Sequence, residues 1–234
     1  MRLFRGLLAA LALLVPASAF AQAQSCTIPG SFPLPRASSR LPEAVRTPVT
    51  RYTLALSWSP GYCQRPDADP RSMQCSGEAG RFGFILHGLW PESDGGRYPQ
   101  YCARGGQLPR QVIRDNLCVT PSPELMQHEW ERHGSCYSRD PARYFATGAR
   151  LYRQVRFPAM RVLAADRALT VGQFRAAFAR ANPGMDASML AMLVNRGGWL
   201  QEVHVCMNRA LRWHACPAGM RDAGDNGRLR IDLP

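Results

Sequence analysis

Two short segments of the chain combine histidines with carboxyl and guanidinium groups. His87 follows an apolar run in residues 85–92, which have the sequence ILHGLWPE. His128 and His133 lie in residues 128–136, which have the sequence HEWERHGSC. Because the ordinary pKa of histidine is about 6.5, one ring can be neutral while another is protonated at the same mildly acidic pH. The two segments therefore offer a general base and a general acid.

A helical zinc site is one alternative use of these histidines. It needs two histidines four residues apart, so that both rings leave one face of the helix. His128 and His133 are five apart and would point about 140° from each other on an α-helix. Glu129 and His133 are four apart and share a face. No paired C-x2-C motif is present, so we expect no metal and no other cofactor.

A cysteine nucleophile is the second alternative, because Cys136 lies close to His133. The first 23 residues, however, have the features of a secretory signal peptide, with Arg2 and Arg5 before an apolar run over residues 7–15. The chain has eight cysteines, and an even number in an exported protein favours four disulfides, although 105 pairings are possible. Cys136 is therefore predicted to be half of a disulfide.

Two imidazoles around one phosphate can cleave RNA without any nucleophile from the protein. One ring removes the proton of a ribose 2′-OH, whose oxygen attacks the adjacent phosphorus, while the other ring protonates the departing 5′-oxygen. DNA lacks the 2′-OH and is predicted to be inert. Negative charge on the phosphate oxygens needs a cationic or donor group, for which His128 and Arg132 are candidates.

The hydrophobic pattern predicts the elements that position these residues. Residues 52–58 and 82–86 are predicted as central strands, separated by a loop over residues 60–80 that a Cys63–Cys75 bridge could hold. A helix is predicted from Ser122 or Pro123 to Gly134, and others over residues 141–156 and 170–181. Residues 199–207 and 211–216 are predicted as strands joined by a turn at residues 208–210. Mixed strands and helices without βαβ alternation favour an α+β domain.

The charge of the chain favours an anionic partner. Lys and Arg number 29 against 17 acidic residues, giving a net charge of +12, and all 29 basic residues are arginines. This charge attracts nucleic acid, anionic membrane or acidic polysaccharide alike. With 46% hydrophobic residues the chain has enough apolar surface to fold. No stretch beyond the signal peptide approaches ~20 apolar residues, so no membrane span is expected.

The two histidine segments resemble the active-site signatures of the ribonuclease T2 family, which comprises secreted, base-nonspecific acid endoribonucleases. Residues 52–63, with the sequence YTLALSWSPGYC, resemble the first core strand of that family and its following loop. The resemblance covers roughly residues 51–216. It implies a single α+β domain that has a central antiparallel sheet flanked by helices and is cross-linked by disulfides.

The resemblance also implies roles for the polar residues. His87 is expected to be the general acid, His133 the general base and His128 a phosphate-binding residue. Glu129 is expected to bind the phosphate or to orient a ring, and its neighbouring imidazoles should hold it ionised or share its proton. The family usually has Lys where this chain has Arg132, which keeps the charge but replaces a compact ammonium by a planar fork.

Aromatic residues are expected to hold the base. Trp90 resembles the base-stacking platform of the family, and Glu92 and Tyr98 resemble further base contacts, although the family commonly has Asp at position 92. Stacking tolerates every base, so little base specificity is expected. The alternatives are that Trp90 packs in the core and that Tyr98 is an ordinary loop residue. Trp58 and Trp130 are predicted as core.

Disulfide pairing is the remaining implication of the resemblance, and the final pair follows by elimination. The implied pairs are Cys63–Cys75, Cys102–Cys136, Cys206–Cys216 and, last, Cys26–Cys118. His204 and His214, beside two of these cysteines, are predicted to be structural or exposed.

The sequence thus predicts three parts: a signal peptide at residues 1–23, a Pro- and Arg-rich arm at residues 24–50 that is draped over the domain or disordered, and a catalytic domain at residues 51–234. The protein is expected to be a monomer, exported to a bacterial periplasm or into the medium. It is predicted to cleave single-stranded RNA to 2′,3′-cyclic phosphates and then to 3′-phosphates. The alternative is a basic protein that binds RNA or envelope polyanions through Arg-rich residues 139–161, with catalysis secondary or absent.

Overall fold

The structure, a computed structural model, describes residues 25–104 and 106–234. The predicted signal peptide lies outside the described residues. The strands are β1 (Ser25–Cys26), β2 (Arg51–Trp58), β3 (Gly80–Arg81), β4 (Phe84–Glu92), β5 (Leu190–Val194) and β6 (Leu200–Asn208). The α-helices are α1 (Ser59–Cys63), α2 (Arg110–Asn116), α3 (Pro123–Glu129), α4 (Ser135–Tyr137), α5 (Pro141–Gln154), α6 (Met160–Ala165) and α7 (Val171–Ala181). A π-helical turn covers Trp130–Gly134, and a 3-10 helix covers Ala187–Met189.

Four strands form an antiparallel sheet in the order β4-β2-β6-β5. Alternate residues of these strands are apolar, so one face of the sheet is buried in the core. Core residues on this face are 0 or 1% exposed: Leu54, Leu56, Leu89, Val203 and Val205. The opposite face carries polar side chains of the same strands, and it is the face that forms the site described below.

Helices cover the apolar face of the sheet. Phe84 of β4 stacks on Phe157 at 4.8 Å between ring centroids and contacts Phe178 of α7 edge to face at 6.4 Å. The Tyr152 hydroxyl of α5 donates to the Phe84 carbonyl at 2.7 Å. Trp58 and Trp130 are 1% and 2% exposed, which confirms both as core residues. This mixed domain confirms the predicted α+β class.

Side chains at the helix ends explain where three helices begin. Ser122 accepts from the N–H of Leu125 at the start of α3, and Asp140 accepts from Ala142 at the start of α5. Thr170 forms a complete capping box with Gln173 before α7. In the part of the chain that the structure describes, no helix has the length and apolarity needed to cross a membrane.

Two strand predictions need correction. β4 is an edge strand rather than a central one, and the chain around Val119 and Thr120 covers its outer side, with Leu86 N–H donating to the Val119 carbonyl at 2.9 Å. Residues 211–216 do not form a strand. The Asn208 side chain accepts from the backbone of residues 210 and 212, and Leu211 has a φ of 58°, so the chain turns away after an isolated bridge.

Helix predictions were incomplete near the second histidine segment. The helix that begins at Pro123 does not stop at Gly134, because the chain passes through the π-turn and continues helically to Tyr137. The elements that were not predicted are α1, α2, α6, β1, β3 and β5.

Two of the four disulfides join segments that are 92 and 34 residues apart, and the other two close loops of 12 and 10 residues. The four disulfides are Cys26–Cys118, Cys63–Cys75, Cys102–Cys136 and Cys206–Cys216, the same pairs that the sequence analysis gave. The segment before β2 is also held by hydrogen bonds. The backbone N–H and hydroxyl of Ser38 donate to the Glu131 carboxylate at 2.8 and 2.6 Å, and Val45 pairs with Gln100.

Candidate active site

A cavity of about 600 Å³ lies between the polar face of the sheet and the π-turn. It is lined by all eight residues to which the sequence analysis gave a catalytic, phosphate-binding or base-binding role: His87, Trp90, Glu92, Tyr98, His128, Glu129, Arg132 and His133. A larger cavity of about 780 Å³ is bordered by Phe32 and Met73 and carries no histidine in its lining. The chemistry therefore singles out the smaller cavity.

A β-bulge places His87 in this cavity. Leu86 and Gly88 of β4 pair with the consecutive residues Leu56 and Ala55 of β2, so His87 is the extra residue between them. Bulges bend a strand and redirect a side chain, and they are frequent beside active sites. The His87 side chain is 26% exposed, with Nδ1 directed at Glu202 and Nε2 at Glu129.

The π-turn places the second histidine segment. Ser135 N–H donates to the Trp130 carbonyl five residues earlier, which adds a residue to the helical turn between His128 and His133. With more residues per turn, side chains five apart come closer to one side of the helix. The 140° separation predicted for an α-helix is therefore wrong here, and both rings line one cavity. Among the described residues no group of three or more His, Cys, Asp and Glu side chains is placed to hold a metal ion.

His133 is held as a neutral ring. Its side chain is 4% exposed, and Nδ1 is buried without a hydrogen-bond partner among the described residues. Burial, together with the positive charges of Arg132, His128 and His87, lowers the pKa of His133 to about 2. A neutral imidazole has a free lone pair, so His133 is in the state that a general base requires.

His87 is held in the opposite state. Burial works against its charge, but the hydrogen bond to Glu202 and the charges of Glu129 and Glu202 outweigh it and raise the pKa of His87 to about 9. The Nδ1–Glu202 Oε1 distance is 2.7 Å, and the Nε2–Glu129 Oε1 distance is 3.5 Å. His87 is therefore a protonated ring at neutral pH, with Nε2 turned toward the cavity.

Glu129 connects the two histidine segments. Its side chain is 2% exposed and accepts from Trp90 Nε1 at 2.7 Å. Burial raises the pKa of Glu129 to about 7 against the opposing effect of His87, so the carboxyl group shares its proton near neutrality and is not held ionised. Gly88 makes this approach possible, since a Cβ there would overlap the Glu129 carboxylate.

Trp90 and Tyr98 line the cavity, and their rings also stack against that of His133, the expected general base. Trp90 is partly exposed, so it is not a core residue, and its ring lies 5.3 Å from that of His133 at 26° between planes. The Tyr98 ring lies 6.1 Å from that of His133 at 20°. The Tyr98 hydroxyl also accepts from Arg132 at 2.8 Å, while Arg132 Nε donates to Gln100 at 2.9 Å. Tyr98 is therefore not an ordinary loop residue, because it helps to fix the guanidinium.

Glu92 and His128 also line the cavity. Thr53 of β2 donates to Glu92 at 3.3 Å, and burial raises the pKa of Glu92 against that hydrogen bond and the charge of Arg51. His128 is exposed on the helix that precedes the π-turn. Both residues lie where a substrate that enters the cavity would pass them.

The sequence analysis missed five residues that line the cavity: Leu193, Glu202, His204, Met220 and Arg221. Glu202 was not singled out, and His204 was predicted to be structural or exposed, whereas both line the cavity from β6. His204 Nε2 lies 2.8 Å from Glu202 Oε2, and its ring contacts Trp90 edge to face. His214, by contrast, is exposed. Alternating polar residues in an otherwise apolar strand were the available signal for Glu202 and His204.

Comparisons with known proteins agree with this picture. The sequence model of the Ribonuclease T2 family matches residues 49–216. A probable ribonuclease of Haemophilus influenzae is 38% identical over 125 residues, covering 48% of this chain and 46% of that protein. A ribonuclease of Aeromonas hydrophila is 44% identical over 85 residues, covering 36% of each chain. The chain thus spans less than half the length of these two relatives.

Solved structures show the same fold. The structure of RNase NT in complex with 5′-AMP superposes with a TM-score of 0.61 at 18% identity, covering 80% of this chain and all of that one. Trichomaglin, described as a novel S-like ribonuclease, gives a TM-score of 0.60 at 20% identity and covers 80% of this chain and 98% of its own.

Proposed function

Because the chain belongs to the ribonuclease T2 family, we propose that it is an endoribonuclease that cleaves single-stranded RNA by transfer of the phosphate to the ribose 2′-oxygen. The observation that carries this proposal is the opposite protonation of two histidines that line one cavity. A ring whose pKa is raised by Glu202 and Glu129 faces the cavity together with a ring whose pKa is lowered by burial and by Arg132. General acid–base catalysis needs one protonated and one neutral ring at the same pH.

The first step uses these rings as they stand. Neutral His133 takes the proton of the 2′-OH, and the 2′-oxygen forms a bond to the adjacent phosphorus. The bond from phosphorus to the 5′-oxygen breaks, and protonated His87 gives its proton to that oxygen. The products are a 2′,3′-cyclic phosphate and a free 5′-OH. His133 is now protonated and His87 is neutral.

The second step reverses the roles. Neutral His87 takes a proton from water, the water oxygen bonds to phosphorus, and the bond to the 2′-oxygen breaks as protonated His133 gives up its proton. A 3′-phosphate results, and both rings return to their starting states. Arg132 would neutralise charge on the phosphate oxygens, and His128 and protonated Glu129 can each donate a hydrogen bond to one of them.

Substrate selection follows from the same groups. DNA has no 2′-OH, so it offers no nucleophile for the first step. Trp90, Glu92 and Tyr98 would hold a base by stacking and edge contacts, with little discrimination because every base has a stacking face. No step in this mechanism requires a metal or an organic cofactor. We further propose that the protein acts as a monomer exported to the periplasm or the medium, where four disulfides are stable.

The test is cleavage of a single-stranded RNA by wild type and by two single variants. His87→Ala and His133→Ala should each lose at least a hundredfold in kcat/KM while keeping a thermal midpoint close to that of the wild type. His214→Ala, at an exposed histidine, is the matched control and should retain wild-type activity. Equal cleavage of RNA and DNA by the wild type would contradict the proposal.

The same variants separate catalysis from binding. The Arg-rich segment forms much of the exposed face of α5, including Arg143, Arg150 and Arg153. RNA binding that persists in the His87→Ala/His133→Ala double variant would be expected for either function. Loss of RNA cleavage in that variant assigns cleavage to the cavity. Unchanged cleavage would show that the two cavity histidines do not catalyse it.

A further inference from the structure

Three adjacent strands bring a carboxylate, a hydroxyl and His87 together on the polar face of the sheet. β2 lies between β4 and β6, and Ser57 of β2 pairs with Glu202 of β6. Ser57 Oγ donates to Glu202 Oε1 at 2.6 Å and lies 3.2 Å from His87 Nδ1. Glu202 Oε1 also lies 2.7 Å from His87 Nδ1. Glu202 Oε1 thus lies within hydrogen-bond distance of both Ser57 Oγ and His87 Nδ1.

Bulges on both sides make this contact possible. His87 is the extra residue of the bulge in β4, as described above. In β6, Leu193 and Val194 of β5 pair with Glu202 and Leu200, so Gln201 is an extra residue directly before Glu202. The two bulges thus flank β2 close to the point where the His87 and Glu202 side chains meet.

The second oxygen of Glu202 is also occupied. Oε2 lies 2.8 Å from His204 Nε2, and the Glu202 side chain is only 17% exposed. Burial works against ionisation, but the hydrogen bonds from His204 and His87 outweigh it and lower the pKa of Glu202 well below its usual range. Glu202 is therefore a fully hydrogen-bonded carboxylate, unlike Glu129, whose pKa burial raises.

We propose that Glu202 is the positioning residue of the general acid: it fixes a proton on His87 Nδ1, turns Nε2 toward the cavity, and stabilises the imidazolium form. This inference rests on the proposed ribonuclease function. Ser57 and His204 in turn hold the carboxylate in place through its two oxygens. The arrangement explains how a ring at a cavity wall keeps its charge despite its burial.

Other charged groups also face His87. Glu129 lies 3.5 Å from Nε2 and favours the charged ring, whereas Arg132 on the π-turn disfavours it, and His87 in turn disfavours charge on His128 and His133. Glu129 can itself take up a proton near neutral pH. Of the two carboxylates, Glu202 alone stays ionised through the neutral range, so the charge of His87 depends on it most.

The test replaces the charge of Glu202 while keeping its shape. In Glu202→Gln, the ring pKa of His87, followed by NMR of ¹³C-labelled histidine, should fall from about 9 toward the ordinary 6.5. The alkaline limb of the kcat/KM profile for a dinucleoside monophosphate should move with it. At pH 8 the protonated fraction would then drop by about thirtyfold, and kcat/KM should drop similarly, with a smaller loss at pH 5.5.

Controls separate this role from a structural one. Glu78→Gln changes an exposed carboxylate outside the cavity and should leave the profile unchanged. Glu202→Asp keeps the charge and should recover an alkaline limb between those of wild type and Glu202→Gln. If Glu202→Gln does not fold, Glu202→Asp carries the test, since it should lower the ring pKa in a folded protein.

Two outcomes overturn different claims. An unchanged His87 ring pKa and an unchanged alkaline limb in folded Glu202→Gln would refute the role of Glu202. A wild-type protein that does not cleave the dinucleoside monophosphate or longer RNA would refute the proposed function instead.

Discussion

Gly88 is the position where the smallest change should disturb the site most. A Cβ built on Gly88 would lie 2.9 Å from Glu129 Cδ and 2.7 Å from Trp90 Nε1, and closer still to Glu129 Oε2. Ordinary van der Waals contacts of a Cβ begin at about 3.4 Å, so Glu129 Oε2, the nearest atom, must retreat by more than about 1 Å. Gly88→Ala therefore separates Glu129 from the two groups that it contacts on β4.

The structure sets the size of the expected effect. The displaced carboxylate loses or lengthens the 2.7 Å hydrogen bond from Trp90 and moves relative to His87. Losing a hydrogen bond to an uncharged group costs about 0.5–1.5 kcal/mol, which is the relevant value while the Glu129 carboxyl group shares its proton, and overpacking a filled site costs about 1–3 kcal/mol. Misplacement of a catalytic group by about 1 Å lowers the rate by about a hundredfold. We expect kcat/KM to fall between tenfold and a hundredfold and stability by about 2–4 kcal/mol.

The assay compares kcat/KM on a dinucleoside monophosphate with the free energy of unfolding in urea. Gly30→Ala is the matched control, because a Cβ at Gly30 has no neighbour within 4 Å. The double variant Gly88→Ala/Glu129→Ala removes the overlap with the carboxylate but leaves Trp90 Nε1 in place, so it should regain part of the stability lost in Gly88→Ala without regaining activity. Wild-type kcat/KM in a folded Gly88→Ala variant would refute the assigned geometry.

Three further predictions follow from the same structure. The wild-type kcat/KM profile should lose activity on the alkaline side only near pH 9, because His87 must be protonated and its pKa is raised to about 9; an alkaline limb near pH 6.5 would contradict this. Arg132→Lys keeps the charge but loses the forked contacts and should lower kcat/KM about tenfold, whereas Arg150→Lys, at an exposed position, should have no effect. Replacing Cys26 and Cys118 by Ala opens a link across 92 residues and should lower the unfolding free energy by about 2–4 kcal/mol with unchanged dinucleotide kcat/KM; lost activity in the folded variant would show that the link also shapes the cavity.

Residues that follow a local pattern were predictable from the sequence. Thr170 and Ser122 precede apolar residues at helical spacing, and both cap helices where expected. The apolar run of β2 and the paired histidine segments located the strand and the cavity residues. These features depend on the chemistry of neighbours in the chain, which a single sequence records directly.

Features that depend on pairing between distant segments were not predictable. The bulge at His87 exists only in the register of β4 against β2, and the π-turn at Trp130–Gly134 inserts a residue that the helical period does not show. Glu202 reaches His87 because β6 lies beside β2, a sheet order that does not follow the chain. The alternation of Glu202 and His204 indicated a polar face but not what that face contacts.

Product analysis on a defined single-stranded oligoribonucleotide tests the central claim most directly. The substrate contains one 2′-deoxynucleotide, and the ends formed over time are identified by mass spectrometry. The mechanism predicts 2′,3′-cyclic phosphate ends that appear first, 3′-phosphate ends that replace them, and no cleavage after the deoxynucleotide. Cleavage after the deoxynucleotide, or ends that carry a 5′-phosphate and a 3′-OH, would contradict attack by the 2′-oxygen.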